Sequence, residues 1–153
     1  MKRAITTYIL MFLILFQMIS AIPTGWLMII DPSGNKLGLP IEILRYSPFS
    51  NFLIPGLFLF FVLGIFPLIV LYGLVRKNKS IVLEKINLYK NYHWSWTFSY
   101  YVGVLIVLWI NMQLLFIKEF HIYHFIYSIL GIVIVFVVHL PSTKKNYYKN
   151  IDR

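Results

Sequence analysis

Uncharged stretches alternate with short basic ones along this chain. Four stretches carry no Asp, Glu, Lys or Arg: Ala4–Ile30, Tyr46–Val75, Asn91–Ile117 and Phe120–Thr143, of 27, 30, 27 and 24 residues. A hydrocarbon core about 30 Å thick is crossed by about 20 predominantly apolar residues of helix, so each stretch is long enough to span it. A helix lying against a soluble core returns to a polar position every turn, because one face meets water. Ile9–Phe16 and Leu57–Leu63 are instead apolar on every face. The pattern predicts an all-α, four-helix transmembrane bundle, a single membrane domain over residues 1–153. The expected helices cover about 4–26, 51–75, 94–117 and 121–140. An outer loop of about 31–50 and an inner loop of about 76–93 join them, and a tail of about 142–153 follows.

Proline, glycine and aromatic residues punctuate these stretches. The first would be about 40 Å long as one helix, more than a bilayer core needs. Pro23 and Gly25 are therefore expected to kink or end it, with Trp26 at the outer interface. A cleaved signal peptide is the rival reading. Lys2-Arg3 suits its basic start and Ile5–Ile19 its apolar core, whereas Ile19-Ser20-Ala21 is a poor cleavage site with apolar sequence beyond it. Asp31-Pro32-Ser33-Gly34 is a strong turn signal. Leu37, Leu39, Ile41, Ile43 and Leu44 make the following loop apolar enough to lie on the membrane surface or on the bundle top. Pro55 falls in the first turns of the second helix, where a missing N–H costs little, and Pro67 falls inside, where it predicts a kink. Arg76–Lys90 mixes basic with aliphatic residues and suits a short interfacial helix. His93-Trp94-Ser95-Trp96 and Tyr100-Tyr101 read as an aromatic belt. The basic tail Lys144–Arg153 is expected to be disordered or surface-bound.

Charge sets the expected orientation. Lys and Arg concentrate on the cytoplasmic side of membrane helices. With both ends inside, eleven of the 14 Lys and Arg residues fall in inner segments; the inverted topology leaves three there. The composition, 59% hydrophobic and 12% charged with a mean hydropathy of +0.77, departs from soluble domains in the same direction. The formal charge of +9 is accounted for by these anchoring residues, so nucleic acid is not an expected partner. The expected partners are the lipid bilayer, anionic lipid at the basic inner segments, and a protein partner or further copies of the chain. The absence of cysteine excludes disulfides, thiol catalysis and thiolate metal sites.

Polar residues inside membrane helices are expensive and often functional. Gln17, Asn51, Asn111, Gln113, His121 and His124 are all expected in the outer leaflet. Above them lies the loop carrying Asp31, Glu42 and Arg45. Apart from Thr6 and Thr7, the inner halves of the helices read as almost purely apolar. The candidate ligand-binding set is Gln17, Asp31, Glu42, Arg45, Asn51, Gln113 and His124, forming an outward-facing pocket for a lipid headgroup, a quinone-like ring or a small solute. The plainer reading has Gln and Asn bonding between helices, each contributing about 0.6–2 kcal/mol to the bundle. Asn111 and Gln113 point about 200° apart on an ideal helix, so one of them at most faces the bundle centre, and Gln113 is favoured. Gly103 is placed to admit a neighbouring helix closely. Glu119, His121 and His124 have the residue types of a metal cluster, but zinc needs three or four ligands in a frame absent here. No catalytic residue, metal site or cofactor is predicted, and no acid lies in the uncharged runs. The readings left open are a non-enzymatic accessory subunit or outward-facing small-ligand binder, a membrane enzyme on lipid or quinone using Asp31 or Glu42, and a subunit of an oligomeric transporter or channel.

Asp31-Pro32-Ser33-Gly34, Leu37-Gly38-Leu39-Pro40 and Ser47-Pro48-Phe49 followed by Phe52-Leu53-Ile54-Pro55-Gly56 carry a resemblance. On these residues the stretch Ile22–Gly73, with weaker echoes at Trp109-Ile110, Gln113, Ile126-Tyr127 and Leu130-Gly131, resembles a group of uncharacterised small bacterial four-helix integral membrane proteins. The chain departs from them at His124-Phe125, where similar proteins have Gln-Pro. The resemblance implies a bacterial plasma-membrane protein with a shaped outer loop, and no particular activity.

Overall fold

The computed structural model describes residues 3–149; Lys2 and the last four residues of the basic tail, 150–153, lie outside them. The described helices are α1 (Ile5–Ile30), α2 (Leu53–Arg76), the short α3 (Ile81–Lys85), α4 (Trp94–Ile117), α5 (Ile122–His139) and α6 (Pro141–Tyr147). Among the described residues four of these, α1, α2, α4 and α5, are long and apolar enough to cross a membrane. The fold is all-α, as the hydrophobic pattern predicts. The four long helices form a closed ring in which α1 packs on α2, α2 on α4, α4 on α5 and α5 back on α1. The start of α1 and helix α6 share one end of the bundle, the termini end. The segment between α1 and α2 caps the opposite, loop end.

α1 is longer than expected. It runs through Pro23 and Gly25 to Ile30, where the Asp31 N–H bonds to Leu27 O at 3.0 Å. Beside Pro23, the Ser20 and Thr24 hydroxyls donate to the carbonyls of Gln17 and Ser20 at 2.8 Å each, so polar groups near the missing N–H are paired within the helix. Gly25 serves packing rather than termination: a Cβ there would stand 2.6 Å from the backbone nitrogen of Phe60 on α2. The extension changes the depth of Gln17. It lies about 20 Å from the loop-end terminus of a helix about 39 Å long, near the middle rather than in the outer half.

Pro67 also acts differently from the expected simple kink. The eight residues before its turn, Phe58–Ile65, adopt the wider π-helical ladder, and regular α-helix resumes at Phe66–Arg76. A single π segment is a common way to accommodate a break in the i→i−4 ladder. Gly103 and Gly131 let α4 and α5 meet backbone to backbone, since a Cβ on either would lie 2.8 Å from the other's carbonyl oxygen. On α1 the buried residues Thr7, Leu10, Ile14, Gln17, Ala21 and Gly25 make one stripe. Ile5, Phe12, Phe16 and Ile19 point outward, as they do where the surrounding medium is lipid.

The termini end is not purely apolar. Asn87, 1% exposed, donates to the Glu84 carboxylate and to Tyr92 O at 2.9 Å each, and accepts from Thr97 Oγ1 at 2.6 Å. Thr143 and Asn146 of α6 bond to Thr6 and Thr7 of α1 at 2.9 and 2.7 Å. Tyr147 is buried and donates its hydroxyl to Leu74 O at 2.9 Å. Lys149 pairs with Glu84 at 2.6 Å, and its backbone N–H bonds to Asn91 O at 2.9 Å. The tail through Lys149 is therefore docked onto the bundle, contrary to its expected disorder or surface attachment. Its small polar residues and tyrosines find fixed partners that a basic, low-complexity reading does not anticipate.

Candidate functional site

A cavity of about 460 Å³ opens at the loop end between α1, α2, α4 and α5. α1 contributes Gln17, Ser20, Ala21, Thr24 and Met28, a helical spacing that keeps them on one face. α4 contributes Ile106, Trp109, Ile110, Gln113 and Ile117 by the same rule. His124 and Tyr127 come from α5, and Leu39 and Ile43 reach in from the loop. The apolar part of that loop thus lies on the bundle top. Two aromatic walls are braced from behind: Phe58 stacks on Trp109 with centroids 4.6 Å apart, and Phe16 stacks on Tyr127 at 6.3 Å.

The polar chemistry of this mainly apolar space centres on Gln17. It is 2% exposed, and its Nε2 donates to Leu63 O at 3.4 Å. That carbonyl sits four residues before Pro67, which brings it no N–H. A carbonyl only accepts, so the amide must present its NH₂ to Leu63 and its oxygen elsewhere. Oε1 is left buried with no partner among the described residues. The Tyr101 hydroxyl is in the same condition, but it does not line this cavity. Leaving a buried acceptor unsatisfied costs about 1–3 kcal/mol.

His124, also buried, accepts the backbone N–H of His121 on Nδ1 at 3.1 Å. It closes the first turn of α5, and its neutral ring carries the proton on Nε2. His121 lines the cavity rim and lies 3.6 Å from Glu119. Among the described residues no group of three His, Cys, Asp or Glu is placed to hold a metal ion.

Of the seven residues singled out from sequence, the structure brings Gln17, Gln113 and His124 together at the cavity and leaves four outside it. Asp31 accepts from the Ser33 hydroxyl and from the Lys36 N–H, closing the turn. The Ser33 bond, then the Lys36 bond, hold its carboxyl below the usual range. Asn51 accepts the Leu53 N–H at 3.0 Å at the start of α2. Glu42 and Arg45 are exposed, with Arg45 over the ring of Tyr46. The loop turns Leu39 and Ile43 inward, and leaves the charges of Glu42 and Arg45 exposed, where solvation favours them. Among the described residues no Asp or Glu lines the cavity, so Asp31 and Glu42, the acids of the enzyme reading, lie outside it. Asn111 is exposed and bonds to Val107 O of its own helix at 2.8 Å, while Gln113 faces the cavity.

No family model, curated protein or solved structure matches this chain. The functional reading therefore stands on the geometry. Sequence reasoning passed over Ser20, Thr24, Trp109 and Tyr127. The i, i+3, i+7 recurrence of Gln17, Ser20 and Thr24 was a readable signal for the first two. Trp109 and Tyr127 were indistinguishable from the many aromatics facing lipid.

Proposed function

We propose that this chain is a non-enzymatic membrane protein that binds a small amphiphile in the loop-end cavity. The ligand has an apolar body and one hydrogen-bond donor, a hydroxyl or N–H, that reaches Gln17 Oε1. The observation that carries the reading is that Gln17, whose buried Oε1 has no partner among the described residues, lines a cavity of about 460 Å³. Small-molecule sites commonly span about 300–1,000 Å³, with mostly apolar walls and few fixed polar groups. A donor entering the cavity supplies the bond that the fold withholds. A ligand carrying only acceptors, such as an oxidised quinone, meets like polarity at Gln17 and is disfavoured.

In the same proposal both ends of the chain face the cytoplasm, the cavity opens toward the outside, and the membrane is a bacterial plasma membrane. The relationship of Ile22–Gly73 to small bacterial four-helix membrane proteins belongs to this reading. So does attraction of anionic lipid to the basic inner segments.

The test uses farnesol and its methyl ether, which share an apolar body and differ in the donor. Purified protein is titrated with each, and quenching of Trp109 fluorescence is followed in a background where the other tryptophans are replaced by Phe. The alcohol is expected to bind about tenfold more tightly, a difference of about 1.4 kcal/mol. Gln17→Leu is expected to erase that preference while the apolar body still binds. Equal affinity of the two probes for the unaltered cavity overturns the proposal.

A further inference from the structure

A second cleft lies at the termini end, remote from the Gln17 cavity. It is an open groove of about 610 Å³, lined by five lysines, Lys77, Lys79, Lys85, Lys90 and Lys149. One carboxylate, Glu84, opposes them, and Lys149 already holds it at 2.6 Å. His93 at the cleft adds no charge near neutral pH, because burial holds it below the usual histidine range. Among the described residues the fold therefore gathers five ammonium groups with one counter-charge.

Three of these lysines are fixed in place. Lys90 Nζ donates to the carbonyls of Glu84 and Lys85 at 2.7 and 3.1 Å, and Lys77 Nζ to Asn146 O at 2.7 Å. Lys149 Nζ adds Lys90 O at 3.2 Å to its bond with Glu84. An ammonium has three donors, so Lys77 retains capacity for an incoming acceptor. Lys79 and Lys85 make no side-chain hydrogen bond or ion pair among the described residues, so their ammonium groups are available. Beside them α3 and its exit present bare aliphatic surface: Ile81, which lines the cleft, is 80% exposed, and Val82, Ile86 and Leu88 are 70%, 61% and 76% exposed.

We infer that this cleft is a discrete binding site for one anionic phospholipid, its phosphate among Lys77, Lys79 and Lys85 and its acyl chains along Ile81 and Val82. A concentrated positive field beside an aliphatic surface matches a phosphodiester attached to hydrocarbon. Neither a soluble phosphate nor a nucleic acid has a use for the aliphatic rim. Basic pockets at membrane-protein surfaces recognise anionic headgroups by the same chemistry. The inference rests on the proposed attraction of anionic lipid to the basic segments, and replaces a diffuse attraction by a located one.

The experiment uses the full chain in nanodiscs of mixed phosphatidylglycerol and phosphatidylcholine, with retained lipid counted by native mass spectrometry. The unaltered protein is expected to retain phosphatidylglycerol in preference. Lys79→Ala with Lys85→Ala is expected to lower that preference about thirtyfold, the combined loss of two basic residues near the surface. Lys144→Ala with Lys145→Ala makes the same charge change outside the cleft and is expected to leave most of the preference. Equal losses in the two double variants overturn the discrete site and leave the diffuse attraction standing. No preference in the unaltered protein overturns both. Inorganic phosphate binding the delipidated protein as tightly as phosphatidylglycerol, in isothermal titration, overturns the assignment to lipid.

Discussion

The two ends of the bundle treat their buried side-chain amides, Asn87 and Gln17, in opposite ways. At the termini end the buried Asn87, Thr97, Thr143 and Tyr147 meet partners from α1, α2, α3, α4 and the segment before α4, and half-buried Glu84 meets Lys149. At the loop end Gln17 sits as deeply buried and lines a cavity, yet its oxygen has no partner among the described residues. In a low-dielectric interior a satisfied polar network fixes one arrangement, and an unsatisfied group costs free energy. On the proposed reading a ligand, rather than stability, accounts for the unpartnered Gln17 oxygen. Composition does not separate the two ends, because both use amides and hydroxyls. What separates Asn87 from Gln17 is whether the amide oxygen is matched by a donor within the fold.

The largest expected effect that sharpens this contrast is at Asn87. Asn87→Leu strips Thr97 and Glu84 of a buried partner and is expected to destabilise the fold by about 3 kcal/mol, read as a lowered melting temperature in mild detergent. Gln17→Leu, equally buried, is expected to change stability by less than about 1 kcal/mol in the same assay, because it removes an unsatisfied acceptor together with one long bond. A loss at Gln17 as large as that at Asn87 would make both ends structural.

Gly103→Val comes next. It thrusts a side chain toward the Gly131 carbonyl that a Cβ already approaches to 2.8 Å, and is expected to cost about 2 kcal/mol by overpacking.

A smaller effect depends on pH. Burial pushes the Glu84 carboxyl up, but the bonds from Lys149, Asn87 and the Trp94 N–H together outweigh it and leave it below its ordinary 4.5. A group depressed on folding contributes stability above its unfolded value and loses it as pH falls through the folded value. The melting temperature is therefore expected to fall on acidification below about pH 4.5, and less so in Lys149→Met. The contribution of the pair is about 1 kcal/mol, since both side chains keep part of their solvent contact. A pH profile identical in the variant would remove Glu84 and Lys149 from the network.

The smallest contrast lies within one helix. Gln113→Leu is expected to weaken farnesol binding about threefold, or about 0.6 kcal/mol, whereas Asn111→Leu leaves it unchanged. Equal effects would show that the cavity does not distinguish the two faces of α4.

Much of the fold was legible because the membrane simplifies the code. Every apolar run longer than a bilayer is thick must be a helix, since lipid offers no partner for an open backbone. The opposed facing of Asn111 and Gln113 and the close approach at Gly103 followed from helical geometry alone. The candidate site was legible only in part. Gln17, Gln113 and His124 share the cavity because three separate helices converge there. Asp31 and Asn51 look equally polar in sequence, but each closes its own local turn, and a side chain satisfied two to five residues away is not available to a ligand.

The sequence alone determined that there would be four long helices, where they begin to within a few residues, and which residue types stand near each end. Short-range geometry and the cost of exposing backbone to hydrocarbon suffice for that. Only the tertiary structure decided that α1 passes through Pro23 and Gly25, that the basic tail docks as far as Lys149, and that five lysines share one cleft. It alone left Gln17 Oε1 unpaired. Each of these depends on which group a distant segment presents: the Phe60 backbone against Gly25, Thr6 and Thr7 against α6, the Leu63 carbonyl against the Gln17 amide. Hydrogen bonds and close packing are satisfied between particular atoms, and the identity of the partner is a property of the fold rather than of the local sequence.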